Sequence, residues 1–178
     1  MVERTGPKLI VCAGPPCSGK STISAALAAR FGCRWVQGDR VLSVLLPDSN
    51  RNEDDRLLGY RASLMLAAEI IRCSKSVVVD ATFTTPACRE LLRSCARELR
   101  TETHVIQIRI TPDVAARRFR MRKDHPATDL SEARVRELAE RYPFSSAGLV
   151  LDGDSPLDEA VQQAADFVGF NDEAWSEG

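Results

Sequence analysis

Apolar residues fall along this chain in two rhythms: short, often β-branched runs, and stripes that recur every three or four positions. The runs at 9–13, 33–37, 77–80, 105–110 and 148–152 predict five strands, and their near-continuous apolar character suits strands buried on both faces. Between them the stripes predict helices. Ile23, Leu27 and Phe31 line one face, and Gly32 is placed to end it. Val41, Leu42 and Leu45 make a short helix stopped by Pro47, and Leu57, Tyr60, Leu64, Ala68 and Ile71 mark a longer one expected to pack on the sheet. Leu92, Cys95 and Leu99 follow Thr85-Pro86, an N-cap with proline at the first helical position, and Thr111-Pro112 repeats that start signal. Asp129 with Glu132 three residues on resembles a capping box for the helix of Val135, Leu138 and Tyr142, which Pro143 ends. Ser155-Pro156 opens a last helix carrying Leu157, Val161, Ala164 and Val168. Residues 48–55 are polar and without periodicity, and read as a loop close to an acceptor site. Strands alternating with helices predict one α/β domain over 1–178, a parallel sheet with helices on both faces.

One polar stretch interrupts this pattern and organises it. Between the first strand and the first helix stands Gly14-Pro15-Pro16-Cys17-Ser18-Gly19-Lys20-Ser21-Thr22, which fits the phosphate-binding loop G-x-x-x-x-G-K-[ST] at every fixed position. Gly14 and Gly19 let the backbone turn its N–H groups inward, and the helix starting near Lys20 aims its positive dipole end at the same anion. Lys20 is expected on the β- and γ-phosphates and the Ser21 hydroxyl on Mg²⁺. The bland alternative, a glycine-rich turn, is disfavoured by the strand before it and the helix after it.

Two carboxylates end strands where open α/β sheets place ligands. Asp39, in Gly38-Asp39-Arg40, is a candidate for chemistry; its structural alternative is pairing with Arg40 or capping the next helix. Asp80 ends the run Val77-Val78-Val79 and reads, beside a phosphate loop, as a metal-site carboxylate. The densest positive charge is Arg117, Arg118, Arg120, Arg122 and Lys123. Arg118 and Arg122 are four apart and share a helix face, as two cations on a transferring phosphate would, against the alternative of a solvated basic helix.

Composition narrows the field. A net charge of −1 gives no overall footprint for nucleic acid. The first eight residues contain no apolar core of signal-peptide length, and no run long enough to span a bilayer occurs, so a soluble, cytoplasmic protein is expected. The six cysteines form no C-x-x-C pair and imply neither zinc nor a disulfide framework. Cys17, among converging N–H dipoles, is expected to be acidified unless it simply packs as a small residue. His104 and His125 have no ligand partners at metal spacing.

Gly14 to Thr22, Gly38-Asp39-Arg40, Val77-Val78-Val79-Asp80-Ala81-Thr82-Phe83 with Arg89 downstream, and Arg118 to Arg122 together resemble the small P-loop kinases that include polynucleotide 5′-kinases, zeta toxins and chloramphenicol phosphotransferase. The resemblance implies a five-stranded sheet of order 2-3-1-4-5 with a helical lid at about 113–142. It also implies an ATP- and Mg²⁺-dependent transfer to a hydroxyl on a small molecule, with Asp39 as general base and Arg118 or Arg122 on the transferring phosphate. Pro15, Cys17, Ser18 and Thr22 join Gly14, Gly19, Lys20 and Ser21 in holding the nucleotide. The chain departs from polynucleotide kinases after Asp39: Arg40 follows directly, and Val41-Leu42-Ser43-Val44 contains no arginine. That disfavours a polynucleotide or nucleoside 5′-hydroxyl acceptor. A nucleotide-dependent regulatory ATPase is the alternative of a different class, and the absence of Asn-Lys-x-Asp disfavours a GTPase switch. Neither the oligomeric state nor the acceptor is specified by these residues.

Overall fold

Five strands and seven helices alternate in the computed structural model, which describes residues 6–121 and 130–170. In chain order they are β1 (Lys8–Ala13), α1 (Lys20–Phe31), β2 (Arg34–Gln37), α2 (Gly38–Leu45), α3 (Glu53–Arg72), β3 (Val77–Ala81), α4 (Pro86–Leu99), β4 (Glu102–Arg109), α5 (Pro112–Met121), α6 (Glu132–Glu140), β5 (Leu149–Asp152) and α7 (Leu157–Val168). The sheet is parallel throughout and its order is β2-β3-β1-β4-β5, as the family resemblance implies.

The strands are apolar on both sides because both sides are covered. Ile10, Cys12, Val78, Ile106 and Ile108 meet Leu27 and Phe31 of α1 and Val161 and Ala164 of α7. Leu9, Val11, Val36, Val77 and Val79 meet Leu64, Ala67 and Ile71 of α3 and Leu92 of α4. Phe170, just past α7, stacks on Phe31 with ring centroids 4.8 Å apart. His104 is a packing residue: its ring edge rests on Phe167, 5.5 Å between centroids, and Glu102 stands beside it.

Register aligns the strand ends that matter. Cys12 and Gln37 both lie opposite Asp80, and Ala13 opposite Ala81, so the carboxyl ends of β1, β2 and β3 finish on one line. β1 has β3 on one side and β4 on the other, and the connections leaving this edge diverge to opposite faces, the place where open α/β sheets hold ligands.

The local start and stop signals are realised with three changes. Thr85 caps α4, its Oγ1 accepting from Cys88 N at 3.3 Å, and Gly32 ends α1 in the left-handed region at φ 62. The polar stretch 48–55 is only partly loop: Asn52 caps α3 by accepting from Asp55 N at 2.9 Å, so Glu53, Asp54 and Asp55 form its acidic first turn. α6 is capped by Ser131, which accepts from Arg134 N at 3.2 Å, so Glu132 is the first helical residue rather than the third; Asp129 lies outside the described residues. Pro156 occupies the cap of α7 rather than its first turn. Arg122, Lys123, His125 and Trp175 also lie outside the described residues.

α1 is the element through which the core holds the phosphate loop. Leu27→Ala is expected to destabilise by about 2–5 kcal/mol through lost burial and the cavity left behind, roughly 4–20 °C in Tm at this chain length. Calorimetry checks it, and a loss below about 1 kcal/mol would contradict the packing described.

Candidate active site

Gly14 is required by crowding: a Cβ there would stand 2.8 Å from the Ile108 carbonyl oxygen and 2.9 Å from Ser18 Oγ. Cys17 and Gly19 are both left-handed, at φ 63 and 96, and such alternation curls successive N–H groups toward one point. α1 begins at once behind them with no side-chain cap, so its first N–H groups face the same concavity. The loop therefore presents a ring of donors and is itself buried from Gly14 to Ser18.

Inside it lie groups that the protein does not satisfy. Lys20 is 7% exposed, and its Nζ donates to the Pro15 carbonyl at 3.5 Å, the outer limit of a hydrogen bond. Ser18 Oγ is buried without a partner. A desolvated ammonium beside converging N–H groups fits a polyphosphate.

Asp80 stands at the end of β3, 3% exposed. Burial pushes its carboxyl above the usual range; the Lys20 charge and hydrogen bonds from Ser21 and Trp35 pull it back, and the Asp39 charge adds to the rise. Trp35 Nε1 donates to Oδ2 at 3.2 Å. Among the described residues no cluster of three or more His, Cys, Asp or Glu side chains is placed to hold a metal. One carboxylate beside one serine hydroxyl nonetheless fits Mg²⁺, which keeps several waters and completes its shell with phosphate oxygens.

Asp39 opens the first turn of α2, where the helix dipole favours a carboxylate. Its partner is Arg51, Nη1 to Oδ1 at 3.2 Å, and not the adjacent Arg40. Asp39 also lines a narrow cavity with Gly38, Arg56, Gly59, Tyr60 and Thr82. The wall of this cavity is a fixed relay: Phe83 N donates to Tyr60 Oη at 3.1 Å, Tyr60 Oη lies 2.6 Å from Thr82 Oγ1, and Tyr142 Oη donates to the Thr82 carbonyl at 2.6 Å. Burial pushes the Tyr60 hydroxyl up to about 12, so it stays protonated at neutral pH. Phe83 is left-handed at φ 48, and Arg89 steadies it, Nε donating to the Phe83 carbonyl at 2.8 Å while Nη2 donates to Pro143. Arg89 is thus a brace of the loop after β3.

Arg118 reaches the phosphate loop from α5, yet its donors fall on carbonyls: Cys17 and Ser18, each at 3.3 Å, and Gly153 at 2.7 Å, with Asp154 Oδ1 at 3.0 Å. In a trans peptide C=O and N–H point opposite ways, so this guanidinium stands outside the N–H cradle. It lines a cavity of about 340 Å³ with Thr22, Ile23, Met121, Gly153 and Leu157. Cys17 turns its thiol into an apolar cluster with Ile110, Ala115, Val135 and Ala139, the packing alternative for that residue. Lys20, Ser21 and Asp80 are brought together and Asp39 stands close by; Arg122 lies outside the described residues.

Sequence reasoning missed Arg51, Trp35 and the Tyr60–Thr82–Tyr142 relay. Strand alternation was a usable signal for one of them: Trp35 lies opposite Val78, on the side of the sheet that Asp80 shares. No periodic signal marks Arg51.

The sequence matches the profile of a family described as an AAA domain over residues 9–144. No curated protein matches in sequence. Three solved structures share the fold: a sugar kinase from a Janibacter species (15% identity, 94% of this chain and 97% of that one, TM-score 0.73), a gluconokinase from Sinorhizobium meliloti 1021 (22%, 93% and 94%, 0.69), and the Mycobacterium tuberculosis APS kinase in complex with AMPPNP and APS (19%, 93% and 99%, 0.74). The fold is that of the small P-loop kinases.

Burying the Asp80 carboxylate opposes folding in the nucleotide-free state. Asp80→Asn, which keeps an acceptor for Trp35 and Ser21, is expected to raise Tm near neutral pH, by about 2–4 °C for each kcal/mol of charge burial relieved. As pH falls through the raised pKa of Asp80, the wild-type carboxyl takes up a proton in the folded state and the advantage of the variant shrinks. Calorimetry across pH checks both, and an advantage that grows on acidification would contradict this electrostatic account.

Proposed function

Because the chain belongs to the AAA domain family, whose profile spans the phosphate loop, both carboxylates and Arg118, we propose that it is an ATP- and Mg²⁺-dependent kinase that transfers the γ-phosphate to a hydroxyl of a small molecule. The observation that carries this reading is the pairing of a buried, weakly bonded Lys20 and a buried Asp80 under the loop with a second carboxylate, Asp39, in its own narrow cavity. A regulatory ATPase has no need of that second carboxylate; an acceptor hydroxyl does.

The loop N–H groups and Lys20 hold the polyphosphate, and Ser21 and Asp80 hold Mg²⁺. Bound there, Mg²⁺ neutralises charge on the phosphate oxygens. Asp39 Oδ1 is committed to Arg51, so Oδ2 orients the acceptor hydroxyl. As the acceptor oxygen forms its bond to the γ-phosphorus, the bond to the bridging β-phosphate oxygen breaks. ADP leaves with that electron pair, and the acceptor proton passes to Asp39 and then to solvent. The cavity beside Arg118, Met121 and Leu157 suits the nucleoside, with Arg118 fixing its wall rather than the γ-phosphate. By the family resemblance, Arg122 is the other lid arginine proposed for the transferring phosphate. Residues 113–142 act as the lid that excludes water during transfer.

The small cavity at Asp39 supports a small acceptor over a strand of nucleic acid, as do the gluconokinase and APS kinase among the structures that share the fold. No helix of the described residues is long and apolar enough to cross a membrane, which agrees with a cytoplasmic enzyme.

The test is transfer of label from γ-labelled ATP with Mg²⁺ into a panel of sugar acids, other metabolites, nucleosides, antibiotics and 5′-hydroxyl oligonucleotides. A labelled small molecule is expected, absent with Lys20→Ala and reduced at least about 100-fold in kcat with Asp39→Asn. Labelled oligonucleotide alone would overturn the acceptor class; label released only as phosphate, whatever is added, would overturn the kinase.

A further inference from the structure

Residues 46–52 join two helices, and a plain linker would suffice, yet this one is built. Ser49 N donates to the Leu46 carbonyl at 3.1 Å, Ser49 Oγ donates to Asp55 Oδ2 at 2.7 Å, and the same oxygen accepts from Arg51 N at 2.8 Å. These bonds hold Arg51 in the left-handed region at φ 58, a conformation that a side-chain-bearing residue adopts only when its surroundings impose it. The result is a guanidinium whose side chain is 6% exposed, although it sits on a connection between surface helices. Nη1 donates to Asp39 Oδ1 at 3.2 Å and Nη2 donates to Ser43 Oγ at 2.9 Å, while the Arg51 carbonyl accepts from Arg56 Nε at 2.7 Å. Ser43 in turn donates to the Asp39 carbonyl at 2.9 Å, so arginine, serine and aspartate close a ring on one turn of α2.

We propose that Arg51 is the positioning residue of the catalytic base: buried and anchored on Ser43, it fixes Asp39 Oδ1 so that Oδ2 alone meets the acceptor hydroxyl. This rests on Asp39 being the base, as proposed above. The chemistry needs such a device. Asp39 is on the first turn of a short helix with its side chain 47% exposed, and an aspartate free to rotate there would spend much of its time turned away from the cavity. A guanidinium donating through one N–H to one carboxylate oxygen removes that freedom and leaves the other oxygen available. The left-handed backbone at Arg51 is then part of the site, because an extended residue at 51 would send the side chain elsewhere.

The test uses Mg·ATP with water as the acceptor, so it does not wait on the natural one. Arg51→Met is expected to lower kcat for ATP hydrolysis about 10–100-fold, the scale of a misplaced reacting group, with KM for ATP within about twofold, because the bonds named for Arg51 go to Asp39, Ser43, Ser49 and Arg56. Arg51→Lys is expected to recover about a third or more of the loss. In an Asp39→Asn background Arg51→Met should change kcat less than about twofold, since the group it positions is already gone. Equal losses in both backgrounds, or an unchanged kcat in folded Arg51→Met, would overturn the proposal. If Arg51→Met does not fold, Ser43→Ala, which removes the hydroxyl that Nη2 meets together with its bond to the Asp39 carbonyl, takes its place in the same cycle with the same criteria. Lys20→Ala separates the two levels: hydrolysis that survives it refutes the nucleotide site itself, whereas hydrolysis lost with Lys20 but additive for Arg51 and Asp39 refutes only the positioning role.

Discussion

A buried, under-bonded ammonium is the constraint around which this molecule is arranged. Taking Lys20 out of water costs roughly several kcal/mol even after relaxation, and the protein offers it a 3.5 Å contact to Pro15 and the charge of Asp80, itself destabilised by burial. Two opposite charges share a poorly solvated place and offset each other's burial only in part. The inward N–H groups of the loop ask for negative charge from outside, while Asp80 and Ser21 ask for a cation. The proposed nucleoside triphosphate with Mg²⁺ would answer both demands, and natural folds keep such tension where binding relieves it.

Much of the remaining structure holds this arrangement still. α1, packed through Leu27 and Phe31, fixes the loop from one face of the sheet; Cys17 anchors it in the apolar cluster with α5 and α6; Arg118 gathers the carbonyls of Cys17, Ser18 and Gly153. On the acceptor side a similar device recurs, with Tyr60, Tyr142 and Arg89 holding Thr82 and the left-handed Phe83, and Arg51 holding Asp39. The nucleotide loop and the acceptor wall are both braced by side chains from the chain between β4 and β5, so both halves of the site share contacts with one segment.

What the sequence makes legible follows the range of the physics. Helix phase and the loop are written in local periodicity and in one strict motif, so β1 to β5 and Thr85 as a cap are readable, whereas the strand order comes only with the family resemblance. Asp39 and Asp80 are readable as residues because strand ends place them. Their partners are not: Arg51 reaches Asp39 from a stretch without periodicity, through a left-handed backbone and a hydroxyl bridge, and Trp35 meets Asp80 across two strands. Arg118 illustrates the opposite difficulty. Helical spacing gives its face correctly as the one toward the loop, but spacing does not say whether a guanidinium will meet phosphate or carbonyl, and in this protein four contacts settle on oxygen atoms of the chain itself. Ser131 displaced Asp129 as the start of α6 for a similar reason, since two capping residues two apart present the same local signal.

The central claim is that the buried charges at Lys20 and Asp80 are placed to bind a magnesium nucleotide. It is tested most directly by calorimetric melting with a non-hydrolysable ATP analogue, with and without Mg²⁺. A ligand at about 100 times its Kd stabilises by about 2.7 kcal/mol, roughly 5–11 °C for a chain of this size. The account predicts a rise of that order with analogue and Mg²⁺ together, a clearly smaller one with either alone, and none in Lys20→Ala. A wild-type Tm that does not move with any nucleotide and Mg²⁺, or moves equally in Lys20→Ala, would contradict it.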